Sequence, residues 1–187
     1  MNIKVYEEMR VLCGYTSADA ELLAKYAETT KPWIQEFVTT FYNTIFDYEP
    51  TRKVFKDGER PDREATTMQW FDQMLSGQHD EAFWQRQWVV GILHILRAVP
   101  NAFMLGMMSR VQQLFLEKVQ AALPPDEALA LYLAFKRATD VVAALIAESY
   151  FYTYVESMES VVGMNPTLVQ RILHAEVGKR LQKERGG

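Results

Sequence analysis

Apolar residues recur along this chain every three or four positions, and alternating strand patterns are nearly absent, which predicts helices throughout. The prolines, Pro32, Pro50, Pro61, Pro100, Pro124, Pro125 and Pro166, fall where helices start or stop. A short leading segment covers residues 2–12. Thr16 and Ser17 can cap a helix reaching about residue 29. Lys31-Pro32 opens the next, with proline in the first turn, where its missing N–H is no loss. Its apolar stripe is Trp33, Phe37, Phe41 and Ile45. Polar residues 56–60 break the pattern. Helices follow over residues 61–75, closed by Gly77 at C′, and over residues 80–98. After Pro100 another runs to about residue 122 on the stripe Phe103, Met107, Val111 and Leu114. From Pro125, with Asp126 and Glu127 at the positive end of the helix dipole, the pattern continues to Val162, about 55 Å of helix. Its seam is Leu131, Phe135, Ala138, Val142 and Leu145. Gly163 and Pro166 set off a last helix, residues 167–183, richer in Lys and Arg.

Composition narrows the function classes. The 187 residues suit one domain, or one domain plus an extension. With 49% hydrophobic and 24% charged residues, the chain can bury a core and is no disordered segment. A net charge of -4 lacks the basic footprint of a nucleic-acid binder. The longest uncharged stretch, residues 98–109, is short of the roughly 20 apolar residues that span a membrane. Lys4, Glu7, Glu8 and Arg10 interrupt any apolar core at the N-terminus, so no signal peptide is expected there. Cys13 is the sole cysteine, which excludes an internal disulfide and a Cys-rich zinc site. A reducing cytoplasm is the simplest home for such a chain.

The common catalytic patterns are missing: no Gly-rich phosphate loop, no HExxH, no CxxC and no GxSxG. Of the three histidines, His79 lies in a polar loop and His174 in the basic tail, and both are expected at the surface. His94 comes late in an apolar helix. It shares a face with residues 83, 87, 90, 91, 97 and 98. Gly91, one turn earlier, would let a flat ligand approach. From the residues alone His94 is either a core histidine bonded to a carbonyl or an axial ligand for haem iron.

The ordered set Phe41-Tyr42, Gly77, Gly91, His94, Pro100, Phe103 and Gly106 resembles the sensor-globin and protoglobin family, the globin domains of globin-coupled sensors, in a single-domain form. The likeness extends over about residues 16–162. It implies an all-α globin fold with an extra N-terminal segment, no clear D helix and a long H helix. Residues 1–162 would be the haem-binding domain and residues 163–187 a helical extension or tail. It further implies haem b, with His94 as the proximal iron ligand. Tyr42 would be the distal tyrosine, able to donate a hydrogen bond to bound dioxygen, with Thr66 or Thr67 sharing ligand contact. Phe41, Trp70, Val90, Phe103 and Met104 would contact the cofactor. Plain core packing remains open for Tyr42, Phe41 and Trp70. The chain departs from the family in two places. Met104 stands where many oxygen-sensing members carry a tyrosine. Arg63, one turn before Thr66, replaces an apolar residue and reaches either solvent, the gas ligand or a haem propionate.

The expected function is reversible binding of a diatomic gas (oxygen, also carbon monoxide and nitric oxide) by a sensor or carrier. The resemblance also implies a homodimer through the G and H helices. Met107, Val111, Leu114 and the seam over residues 131–145 are then either its surface or internal core. The C-terminal tail is a candidate dock for a separate signalling partner. Two rivals stand. A haem enzyme, such as a nitric-oxide dioxygenase or a peroxidase-like protein, would need an electron source. A haem-free helical dimer or adaptor would keep His94 for structure only.

Overall fold

The computed structural model describes residues 1–163 and 165–185, with Val162, Pro166 and Gln170 described by their backbone alone. Every regular element among the described residues is helical, as the pattern predicts: α1 (Ile3–Cys13), α2 (Ser17–Lys25), α3 (Ala27–Thr30), a 3-10 turn (Lys31–Trp33), α4 (Ile34–Asp47), α5 (Glu49–Arg52), α6 (Arg60–Leu75), α7 (Glu81–Leu96), α8 (Asn101–Ala122), α9 (Pro125–Val162) and α10 (Pro166–Arg185). Between α4 and α6 only the single turn of α5 is regular. The chain divides into two compact units, Met1–Tyr150 and Phe151–Gly187. The first holds all the candidate site residues.

The core of that unit is laid along α9. Leu131, Phe135, Ala138, Val142 and Leu145 are completely or almost completely buried. The seam is therefore interior to this chain and not a surface for a second copy. Phe135 stacks on Phe115 of α8 with ring centroids 3.9 Å apart, and Phe37 of α4 bridges Phe115 at 6.2 Å and Phe71 of α6 at 5.5 Å. Burying each such ring contributes about 1.5–3 kcal/mol, so this column ties four helices together. Asp19 joins α2 to the same frame: it closes the capping box with Thr16 and accepts from the Arg137 guanidinium of α9.

Two stripes differ from those the sequence suggests. The buried face of α8 is Met104, Val111, Phe115 and Val119, with Phe103, Met107 and Leu114 half-buried on its flank. On α4, Val38 and Tyr42 are buried beside Phe37 and Ile45, while Trp33 and Phe41 lie at the edge. Both helices carry two adjacent apolar rows, and periodicity cannot choose between neighbouring rows.

The ends of α7 are fixed by backbone geometry. Gly77, just past α6, takes φ +68°, and a Cβ there would lie 2.1 Å from the Ala20 carbonyl oxygen of α2. Asp80 then caps α7 by accepting from the Phe83 N–H at 2.7 Å. At the other end α7 stops at Leu96, earlier than expected. The Val99 N–H donates to the His94 carbonyl and the Ala98 N–H to that of Ile95, with Ala98 at φ 51°. This is a Schellman closure with alanine in the position that favours glycine.

Gly91 has a different role from the one its spacing suggests. A Cβ there would sit 1.8 Å from Ser149 Oγ and 2.3 Å from the Ile146 carbonyl oxygen. The absent side chain admits α9, not a flat ligand. Gly91→Ala should therefore destabilise the protein by about 2 kcal/mol or more, as overpacking against backbone does. Gly106→Ala, where a Cβ meets nothing within 4 Å, should stabilise by up to about 1 kcal/mol. Urea unfolding of the two variants checks the contrast; equal effects would mean that α7 and α9 are not in contact there.

Candidate functional site

The candidate residues gather on two facing helix surfaces. On α6 and its N-cap, Glu59, Arg63, Thr67 and Trp70 follow one another at spacings of four, four and three, on one face. On α7 and its C-cap, Gln87, Val90, His94 and Arg97 follow at spacings of three, four and three. Side-chain bonds join these faces near both ends. At one end the Trp70 Nε1–H donates to Gln87 Oε1 at 3.1 Å, and the buried Gln87 amide donates to the Phe83 carbonyl at 2.9 Å. Arg86 donates to Gln73 Oε1 at 2.9 Å beside it. At the other end Arg97 Nη1 donates to Glu59 Oε2 at 2.9 Å, and Arg97 Nη2 donates to Oε1. Arg63 adds two bonds to Glu59 Oε1, at 2.9 and 2.6 Å. Thr67 and His94 lie between these two ties.

Tyr42 approaches from α4. Its hydroxyl is 3.0 Å from Thr67 Oγ1, and its ring packs against Phe41, Phe46 and Phe55. Burial raises its pKa above the usual phenol value, partly offset by the Thr67 bond and the Arg63 charge. The hydroxyl therefore keeps its proton and can donate. Thr67 is the threonine brought to Tyr42. Thr66 is exposed and donates back to the Asp62 carbonyl of its own helix at 2.9 Å. Val90 is half-buried, Phe103 meets the Tyr48 ring at 6.5 Å, and Met104 is buried on α8. Trp70 spans to α7 through Gln87, so its role includes a polar tie as well as packing.

The histidines separate clearly. His79 is not at the surface, contrary to its polar flanks. Its Nδ1 lies 2.6 Å from the Tyr15 hydroxyl, its Nε2 lies 2.9 Å from the Met74 carbonyl, and its ring stacks on Phe83 at 4.8 Å. The carbonyl can only accept, so Nε2 carries the proton and Nδ1 accepts from Tyr15. His174 is exposed, as expected. His94 is the exception: its Nδ1 is buried with no hydrogen-bond partner. Burial alone lowers its pKa, so the ring is held as neutral imidazole, the form that ligates metals. A buried unpaired nitrogen costs about 1–3 kcal/mol. Among the described residues no three His, Cys, Asp or Glu side chains gather into a metal site.

Sequence inspection did not find Gln87 or the Glu59–Arg97 tie. Gln87 shares the His94 face two turns earlier, which was the available signal. Glu59 and Arg97 lie 38 residues apart in no periodic relation.

Comparison with known proteins agrees with this architecture. The family model described as Protoglobin matches residues 5–156. The chain is similar in structure to the globin domain of the Geobacter sulfurreducens globin-coupled sensor, with 21% identity and a TM-score of 0.71, over 77% of this chain and 96% of that one. It is also similar to the globin domain of E. coli DosC in its ferric form, with 15% identity and a TM-score of 0.66, over 78% and 99% of the two chains. No curated protein matches the chain. The fold is the globin fold. No described helix is long and apolar enough to cross a membrane.

The contrast between His79 and His94 can be measured through pH. Burial holds both histidines below their ordinary pKa, whereas in the unfolded chain they titrate near about 6.5. Below that value the unfolded state binds more protons, so stability falls as pH drops from about 6.5 toward the folded values. His79→Gln can keep both hydrogen bonds without titrating. It should flatten the fall in urea midpoint between pH 7.5 and 5.5; an unaltered slope would show that His79 is not buried as the neutral ring.

Proposed function

The chain belongs to the protoglobin family, and on that premise we propose that it binds haem b between α6 and α7, where His94 would hold the iron, and that it there binds a diatomic gas reversibly. The observation that carries this reading is the His94 ring, held neutral by burial, whose Nδ1 is buried without a hydrogen-bond partner. His79, with both ring nitrogens satisfied, is the counter-example of a purely structural histidine in the same fold.

Haem, when bound, supplies an iron at which oxygen, carbon monoxide or nitric oxide can bind. The chain's own residues do the rest. The Schellman closure ties the His94 carbonyl to Val99 and so fixes the helix turn that presents the ring. Phe41, Val90, Phe103 and Met104 supply apolar walls and limit water. Tyr42 donates a hydrogen bond to the gas, and Thr67 orients the Tyr42 hydroxyl. Such a bond is strongest toward a ligand that gathers negative charge, which favours oxygen over carbon monoxide. Trp70, tied to Gln87, sets the depth of the slot. Thr66 has no part in this arrangement. Residues 1–162 form the haem domain and residues 163–187 a helical extension suited to a signalling partner. The role is that of a gas sensor or carrier in the cytoplasm. In a dimer through the G and H helices, the half-buried Met107 and Leu114 of α8 would be available to the second copy.

The absorption spectrum tests the reading. Purified protein, or protein supplied with hemin, should show an intense Soret band that shifts on reduction and again under carbon monoxide. His94→Gly should lose stable haem, and added imidazole should restore it. Tyr42→Phe should keep the Soret band while raising the oxygen dissociation rate about 10-fold or more, the value of a hydrogen bond with a charged partner. No Soret band in the native sequence, even with hemin, would leave a helical interaction protein.

A further inference from the structure

Two guanidinium groups from opposite helices converge on one carboxylate at the Tyr42 end of the α6–α7 slot. The Glu59 oxygens accept two bonds from Arg97, two from Arg63 and one from the Lys56 backbone N–H at 3.1 Å. The neighbouring acid, Glu64, is taken by Arg60 at 2.7 Å. The cluster therefore holds two positive charges against one negative charge, a surplus of one. Its exposure is graded: the Glu59 side chain is 12% exposed, those of Arg97 and Arg63 28% and 38%. The arginines can turn to a new partner without leaving water. Arg97 sits one turn beyond His94, and both arginines act on the Tyr42 hydroxyl through their charge. The cluster thus borders the slot, whose opposite end is closed by the Trp70–Gln87 bond.

From this placement we propose that Arg63 and Arg97 are a carboxylate-recognising edge for the slot's ligand, and that Glu59 occupies this edge whenever the slot is empty. The site takes a flat apolar molecule bearing carboxylates along one side. The proposal rests on the haem reading, since haem b is such a molecule. When it enters, its carboxylates replace Glu59 on one or both guanidinium groups. Charge-assisted bonds are exchanged for others of the same kind, and the surplus positive charge is neutralised. Glu59 thereby competes with the ligand's carboxylates for the two guanidinium groups.

The test titrates the full chain, freed of haem, with hemin and separately with hemin dimethyl ester, which has the same ring and iron but no free carboxylates. The Soret band is the readout. The native sequence should prefer hemin. Arg97→Gln should lower the hemin-to-ester affinity ratio about tenfold relative to the native chain, and Arg63→Gln should lower it in the same direction. Glu59→Gln should raise hemin affinity and leave ester affinity unchanged, because a competitor has been removed. A purely structural ion pair would predict otherwise: Glu59→Gln and Arg97→Gln would weaken both porphyrins together and leave the ratio alone. That outcome would overturn the proposal while leaving the haem reading intact. Binding of neither porphyrin by the native chain would overturn the haem reading, and this proposal with it.

Discussion

The approach of α7 to α9 at Gly91 is the constraint on which the rest of the site depends. The α7 backbone meets the Ile146 carbonyl and the Ser149 hydroxyl of α9 there, 2.3 and 1.8 Å from where a Cβ would lie, and the carbonyl cannot swing aside as a side chain can. Close packing of this kind fixes both the height and the rotation of a helix. Once Gly91 faces α9, Gln87 lies one turn before it, and His94 and Arg97 lie one and nearly two turns beyond. All three then sit on or beside the face turned toward α6. Asp80 at one end of α7 and the Schellman closure at Ala98 at the other leave the helix no freedom to slide. The position of His94 is therefore an outcome of helix packing elsewhere, and α9, itself anchored by the phenylalanine column and by Asp19–Arg137, is the reference against which it is set.

Burial acts on the two inner histidines in the same direction but with different consequences. Both are desolvated and both are held neutral. His79 spends its donor on Met74 and its acceptor on Tyr15, so its polarity is absorbed between α6 and the loop that joins α1 to α2. His94 spends nothing at Nδ1. Asn101 Oδ1 is also buried without a partner, so an orphan atom alone does not mark a metal site; what distinguishes His94 is that its orphan belongs to a neutral imidazole.

Much of this was legible in the sequence. Helix positions followed from proline placement and apolar spacing, and the α9 seam was found residue by residue because it is buried on one uninterrupted row. Tyr42 and His94 stand out as candidates because the spacing between them is shared by a family. What spacing could not give were contacts decided by distant partners. His79 looked solvated because Gln78 and Asp80 flank it, yet Tyr15, 64 residues away, closes over it. The two threonines were equivalent on paper, and only the rotation of α6 turned Thr67 to Tyr42 and Thr66 outward. Gly91 read as room for a ligand, when the room is filled by α9. Of the Glu59 cluster only the Glu59–Arg63 pair has a local signature, four residues apart; Arg97 comes from 38 residues away on α7.

The two ties across the slot also differ in kind, and that difference gives the slot a direction. Trp70–Gln87 is a neutral bond whose acceptor residue is buried, and Gln87 is further fixed by Phe83. Breaking it would strand a buried amide, at about 1–3 kcal/mol. The Glu59 end is made of charged groups that retain contact with water. Arg63 and Arg97, part-exposed, can trade Glu59 for another carboxylate, whereas Glu59, 12% exposed, is held by five bonds and would need new partners of its own. The Trp70–Gln87 end is consequently the fixed one, and the Glu59 end is the one whose bonds can be re-formed with another charged partner.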